Sequence, residues 1–153
     1  MVLPQDFLRT VVLALSILLP GVTAAEDPTD GPAPAAVEGA TYIDTATARQ
    51  LLDDGIPFVD VRPGSMYQAG RIQGAISLPL GAEFNRQALA KVAGPDDPVV
   101  LHCRGKDCLM SSMAARQALT WGYSRIYYYR AGYNGWKENG HPVEVPPEGD
   151  AGR

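Results

Sequence analysis

The sequence predicts an α/β fold built on a central five-stranded, mainly parallel sheet with helices on both faces. Three observations predict it. Short apolar runs alternate with segments of helical period, each run is bounded by a breaker, and one run ends directly on a cysteine that a polar loop links to a helix. At 153 residues and 46% hydrophobic, the chain is long enough for one domain with a proper core and too short for two of ordinary size.

The N-terminus stands apart from that domain. Arg9 precedes an apolar run from Val11 to Leu19, Pro20 and Gly21 break it, and Val22, Thr23 and Ala24 supply the small residues of a peptidase site. Residues 1–25 therefore read as a signal peptide cut after Ala24 or Ala25. The run is roughly half of the ~20 residues that a membrane-spanning helix needs, so no membrane span is expected in the mature protein. Residues 26–39, rich in Pro, Ala and acid, read as a flexible leader. The domain is expected over residues 40–145, and Pro146 opens a solvated tail over 146–153.

Within the domain, the predicted strands are Thr41–Ile43, Phe58–Val61, Ala75–Leu78, Val99–His102 and Ile126–Tyr129. The first helix runs from Thr45 to about Asp53, capped by Asp44 and stopped by Gly55. A second covers Glu83 to Val92 and ends at Gly94-Pro95. A third starts at Cys108 or Leu109 and stops before Gly122, with Met110, Met113, Ala114, Gln117 and Trp121 as its core-facing stripe. The last is short, Tyr133 to Glu138. Tyr127, Tyr128 and Tyr129 form a strand with one buried and one partly exposed side rather than a stacking platform.

The formal net charge is −4 and no basic block stands behind it, which excludes nucleic acid or an anionic membrane surface as the expected partner. No cysteine lies near the cleavage site to carry a lipid. What remains is an exported, periplasmic protein with two thiols, Cys103 and Cys108, in an oxidising compartment. A bridge across so short a loop removes little unfolded-state entropy, so the two do not read as a scaffold disulfide.

Cys103 is the residue the pattern singles out. In open parallel sheets ligands bind beyond the carboxyl ends of strands, and a loop entering a helix points backbone N–H groups inward. With Arg104 and Lys106 adjacent, such a nest lowers a thiol pKa below its free value of about 8.5, so Cys103 is expected to be thiolate at neutral pH. The competing reading makes it a small buried hydrophobe at a strand end. Zinc-ligand types occur in His102, Cys103, Cys108 and His141, but His102 and Cys103 point to opposite faces of one strand. Covalent haem attachment needs His after the second cysteine, where Leu109 stands. Neither metal nor cofactor is expected.

The chain resembles the rhodanese superfamily. Asp60-Val61-Arg62 and Tyr67 through Pro79 are similar to its first signature, DVR followed by Y-x-x-G-H-I-x-G-A-x-N-I-P, with Arg71 in place of His and Ser77 in place of Asn. Val99 to Cys103 resembles the strand that delivers the catalytic cysteine, and Ala114-Ala115, Leu119 and Gly122 the helix behind it. Ala131-Gly132, Trp136, Gly140 and Pro142-Val143 resemble the closing segment. The resemblance implies a persulfide at Cys103, formed from a small sulfur donor such as thiosulfate and passed to a thiol or cyanide-like acceptor. It implies that the amides of Arg104, Gly105, Lys106, Asp107, Cys108 and Leu109 hold the sulfur, with Arg104 or Lys106 attracting the donor. Asp60 and Arg62 are expected to brace the sheet as an ion pair.

Two departures matter. Phosphatases of this fold need C-x5-R to clamp phosphate, and Leu109 occupies that arginine's position. The second is Cys108. With Leu109, Met110 and Ser111 it is similar to an exported subgroup associated with pyrroloquinoline quinone-dependent alcohol catabolism, marked by a two-cysteine motif ending Cys-Trp; Leu109 stands where that tryptophan would be. Cys108 reads either as a resolving thiol or as a small apolar residue in the first helical turn. Three functions therefore follow: sulfur transfer through Cys103, dithiol redox chemistry using both cysteines, or an inactive module that binds periplasmic alcohol-oxidation proteins.

Overall fold

The computed structural model describes residues 29 and 31–145. The expected signal peptide, residues 26–28 and 30 of the leader, and the tail lie outside the described residues. Twelve elements follow in order: β1 (Thr41–Tyr42), α1 (Thr45–Asp53), β2 (Phe58–Asp60), α2 (Gly64–Ala69), β3 (Arg71–Ile72), β4 (Ile76–Ser77), α3 (Arg86–Ala90), β5 (Val99–His102), α4 (Met110–Thr120), β6 (Ile126–Tyr129), α5 (Gly132–Glu138) and β7 (Val143–Glu144). Five strands form one sheet in the order β1-β6-β5-β2-β4, and every pairing in it is parallel. This is the predicted α/β architecture. Among the described residues no helix is long and apolar enough to cross a membrane.

The sheet is covered on both faces because its strands are apolar on both. Along β5, Val99 and Leu101 enter a cluster with Leu89 of α3 and Ala114, Ala115 and Ala118 of α4. Val100 enters the opposite cluster with Ala48 of α1 and Trp136 of α5. The helix ends follow local rules: Asp44 accepts a hydrogen bond from Thr47 N at 2.8 Å, and Gly55, at φ +79°, ends the segment in a conformation that disfavours any other residue.

Four expectations change. The second helix is shorter than Glu83–Val92, because Asn85 caps it by accepting from Ala88 N at 2.9 Å. The face that α4 buries is Ser111, Ser112, Ala114, Ala115 and Ala118, whereas Met113 is exposed. Small side chains let the helix approach the sheet closely, and the large ones are pushed to its flanks. Tyr128 and Tyr129 are both buried, since helices cover both sheet faces at β6. Helix α2 and the antiparallel β3–β7 pair, clamped by Arg71 Nε to Glu144 Oε2 at 2.7 Å, have no counterpart among the predicted elements.

The leader also departs from expectation. Two of residues 31–39 are buried, Ala33 and Val37, each only 3% exposed, and Ala33 N donates to Lys106 O at 2.7 Å. The folded unit therefore starts before Ala40. Composition suggested solvation, but this segment is held by its backbone and by two small side chains.

Candidate active site

β5 lies at the centre of the sheet, between β6 and β2, and delivers Cys103 to its carboxyl end. Cys103 is 0% and Cys108 3% exposed, and both are free thiols. Cys103 Sγ lies 3.3 Å from Ser111 Oγ, 3.4 Å from Cys108 O and 4.0 Å from Gly105 O. His102 faces the other way, packed against Phe58 and Tyr129. Its Nδ1 is 3.4 Å from Cys103 O, and its Nε2 has no hydrogen-bond partner. Burial pushes its pKa down, against the opposing pull of the Asp60 carboxylate.

The two thiols shift in opposite directions. A hydrogen bond with Cys108 pushes the Cys103 thiol up, burial and repulsion from Cys108 add to this, and Ser111 opposes them. The hydrogen bond from Cys103 brings Cys108 down to about 6; burial opposes this, and the amides of Met110 and Arg104 and the Arg104 charge assist it. Two thiols in contact cannot both ionise cheaply. Both directions run against the expected thiolate at Cys103: its thiol is pushed up and that of Cys108 down. The amides expected around Cys103 are divided as well, with those of Arg104 and Met110 serving Cys108 and that of Ser111 serving Cys103.

This division predicts two labelling profiles. Iodoacetamide modification of Cys108, followed by peptide mapping, should rise through an inflection near pH 6. Cys103 should stay unreactive beyond the ordinary thiol value of about 8.5. Coincident inflections for both cysteines near that ordinary value would contradict it.

Ser111 escaped sequence reasoning. It is fully buried in the first turn of α4, and its one sequence signal is a pair of hydroxyl residues on the buried face of an otherwise Ala-rich helix. Tyr128, whose OH donates to Pro34 O at 3.0 Å, has its pKa pushed up to about 12, by burial first.

The remaining loop residues line a neighbouring cleft. Arg104, Gly105, Lys106 and Asp107 border a cleft of about 240 Å³ that Thr45, Asn134 and Glu138 close from the other side. Neither cysteine lines it. An Arg104 Nη donates to Asp107 O at 3.2 Å, tying the loop to itself. Leu109 donates its amide to Thr29 O at 2.9 Å and precedes α4 without touching the sulfur of Cys103 in any hydrogen bond. The loop is held from below by α5, where Tyr133 N and Asn134 N donate to Cys103 O and Arg104 O, each at 2.9 Å. That grip requires glycine at 132: its φ is +58°, and a Cβ there would stand 2.3 Å from Cys103 O.

Asp60 and Arg62 form a buried fork. Arg62 Nε lies 2.9 and 3.0 Å from the two Asp60 oxygens, and one Nη donates to Asp60 Oδ2 at 2.5 Å and to Gly70 O at 2.8 Å. The guanidinium also lies over the Tyr133 ring, 4.3 Å from its centroid. Burial works to raise the Asp60 pKa, but His102 and Arg62 outweigh it and hold the carboxyl below its usual range. Through Tyr133, this fork supports the helix end that holds the cysteine loop.

Comparison with known proteins agrees with this architecture. The family model described as rhodanese-like domain matches residues 44–139. An HTH-type transcriptional regulator of Mycobacterium tuberculosis is 38% identical over 89 residues, covering 58% of this chain and 38% of the regulator. The chain thus spans well under half of that relative. Rhodanese-like domain-containing protein 15, chloroplastic, of Arabidopsis thaliana is 31% identical over 118 residues, covering 71% of this chain and 64% of that protein. The crystal structure of thiosulfate sulfurtransferase from Pseudomonas aeruginosa superposes with a TM-score of 0.60 at 27% identity, covering 69% of this chain and 20% of that one.

Proposed function

The chain belongs to the rhodanese-like domain family, and from that premise we propose that it is a sulfurtransferase that carries sulfur as a persulfide on Cys103. The observation that carries the reading is the placement of Cys103. Its sulfur sits at the carboxyl end of the central strand, within hydrogen-bond range of Ser111 Oγ and of the Cys108 carbonyl.

The resting pair suits the first step. As Cys103 attacks the outer sulfur of a donor such as thiosulfate, its proton passes to the Cys108 thiolate, which acts as the base. A bond forms between Cys103 Sγ and the sulfane sulfur, the donor's S–S bond breaks, and sulfite leaves with that bond's electron pair. Cys103 then holds a persulfide anion, and Ser111 is the hydroxyl positioned to donate to its inner sulfur. An acceptor nucleophile such as cyanide or a thiolate takes the outer sulfur and returns Cys103 to thiolate. Intact-mass measurement after incubation with thiosulfate tests this: a gain of one sulfur atom is expected, and an unchanged mass at saturating donor contradicts it.

One observation favours a second use of the same pair. Cys103 Sγ lies 3.4 Å from the Cys108 carbonyl, and in this second use the Cys108 thiol attacks Cys103 Sγ in the persulfide. The Cys103–Cys108 disulfide then forms, the Sγ–S bond breaks, and hydrosulfide leaves. Sulfur delivery and dithiol redox chemistry are then successive steps of one site. The setting we propose is the periplasm, on the strength of the N-terminal apolar run and its small-residue boundary.

A further inference from the structure

Both sulfurs are shut away in the structure, yet a donor must touch one of them. The segment that composition marks as solvated is bonded to the loop that joins them. Gly31 N donates to Asp107 O at 3.3 Å, and Leu109 N donates to Thr29 O at 2.9 Å, so the segment is fastened on both sides of Cys108. Ala33 N adds a bond to Lys106 O at 2.7 Å. Val37 belongs to the same apolar cluster as Cys103 and Cys108. From the sheet side, Arg130 Nε and an Nη reach Ala33 O at 3.0 and 2.8 Å, and Tyr128 OH reaches Pro34 O at 3.0 Å.

We propose that residues 31–37 are a strap that closes the sulfur site and must lift to admit the donor, with Arg130 and Tyr128 as its latch. This rests on the sulfur-transfer reading and adds its gate. The strap is the cover that can leave at least cost. The sheet and α4 are locked by ladders and core packing, while the strap is held by a few main-chain bonds, the Arg130 and Tyr128 latch and the buried side chains of Ala33 and Val37, so it belongs to the low-stability end of the fold. Whatever displaces Cys108 also strains the bond between its neighbour Asp107 and Gly31 of the strap, which ties the state of the thiols to the gate.

The test is the rate at which iodoacetamide alkylates the native thiols. Ala33→Glu, which places a charge where the strap is buried, and Arg130→Met, which removes the latch donors, should each accelerate alkylation roughly tenfold or more while circular dichroism is retained. If the strap amides of these folded variants exchange freely but alkylation is no faster, the strap is no gate. In the unmodified protein, hydrogen exchange of residues 31–37 and thiol alkylation should report the same opening, to within roughly threefold. Thiols that react while the strap stays protected overturn the proposal, even should both variants fail to fold. Alkylation needs no sulfur transfer, so the two readings fail separately: fast alkylation in opened variants that gain no mass from thiosulfate sinks sulfur transfer and leaves the strap standing.

Discussion

Cys103→Ser is expected to lower thiosulfate-to-cyanide sulfur transfer by at least about a thousandfold, because the atom that forms the bond to sulfur is lost. A hydroxyl at this position has no accessible ionised form with which to attack the donor. Cys108→Ser should behave differently. The repulsion and shared hydrogen bond that hold the Cys103 proton in place disappear, so Cys103 still loads one sulfur, without its base and without a resolving thiol. Single-turnover thiocyanate release would separate the two, with hydrosulfide evolution absent from the Cys108 variant. Equal, complete loss in both variants would instead favour a dithiol reaction in which neither cysteine acts alone.

The second large effect concerns stability. Asp60→Ala is expected to cost about 3 kcal/mol, the usual result of leaving one member of a buried ion pair unpaired. Arg62 would keep the Gly70 carbonyl and the Tyr133 ring, and neither neutralises its charge. The pH dependence follows from the same fork. The folded pKa of Asp60 is depressed, so its contribution is fully present above the unfolded carboxyl value of about 3.9 and is lost as pH falls through the lower folded value. Urea denaturation of both proteins should show the full gap at pH 7 and a narrowing gap below about pH 4. A gap under about 1 kcal/mol at pH 7 would mean that the fork contributes no more than a surface pair.

How much of this was legible in the sequence depended on which atoms do the holding. α1 and β5 were read correctly because Asp44, Gly55 and the apolar run Val99–Leu101 announce themselves by residue type. The two-residue strands β3 and β7 are too short to show a period. On α4 the apolar pattern pointed to methionines, whereas close packing against the sheet selected Ser and Ala. The strap was hidden for a different reason: Gly31, Ala33 and Pro34 dock through backbone groups, and backbone groups carry no residue signature. The cysteine pair was visible as a pair. Its charge distribution was not, because that depends on Ser111 and on which amides face which sulfur.

The most direct test of sulfur transfer is to locate the added sulfur. After thiosulfate treatment, alkylation of the persulfide and peptide mapping should place the extra atom on Cys103, in the unmodified protein and in Cys108→Ser alike. Sulfur found on Cys108 alone, or on neither cysteine, would contradict the assignment of Cys103 as the carrier.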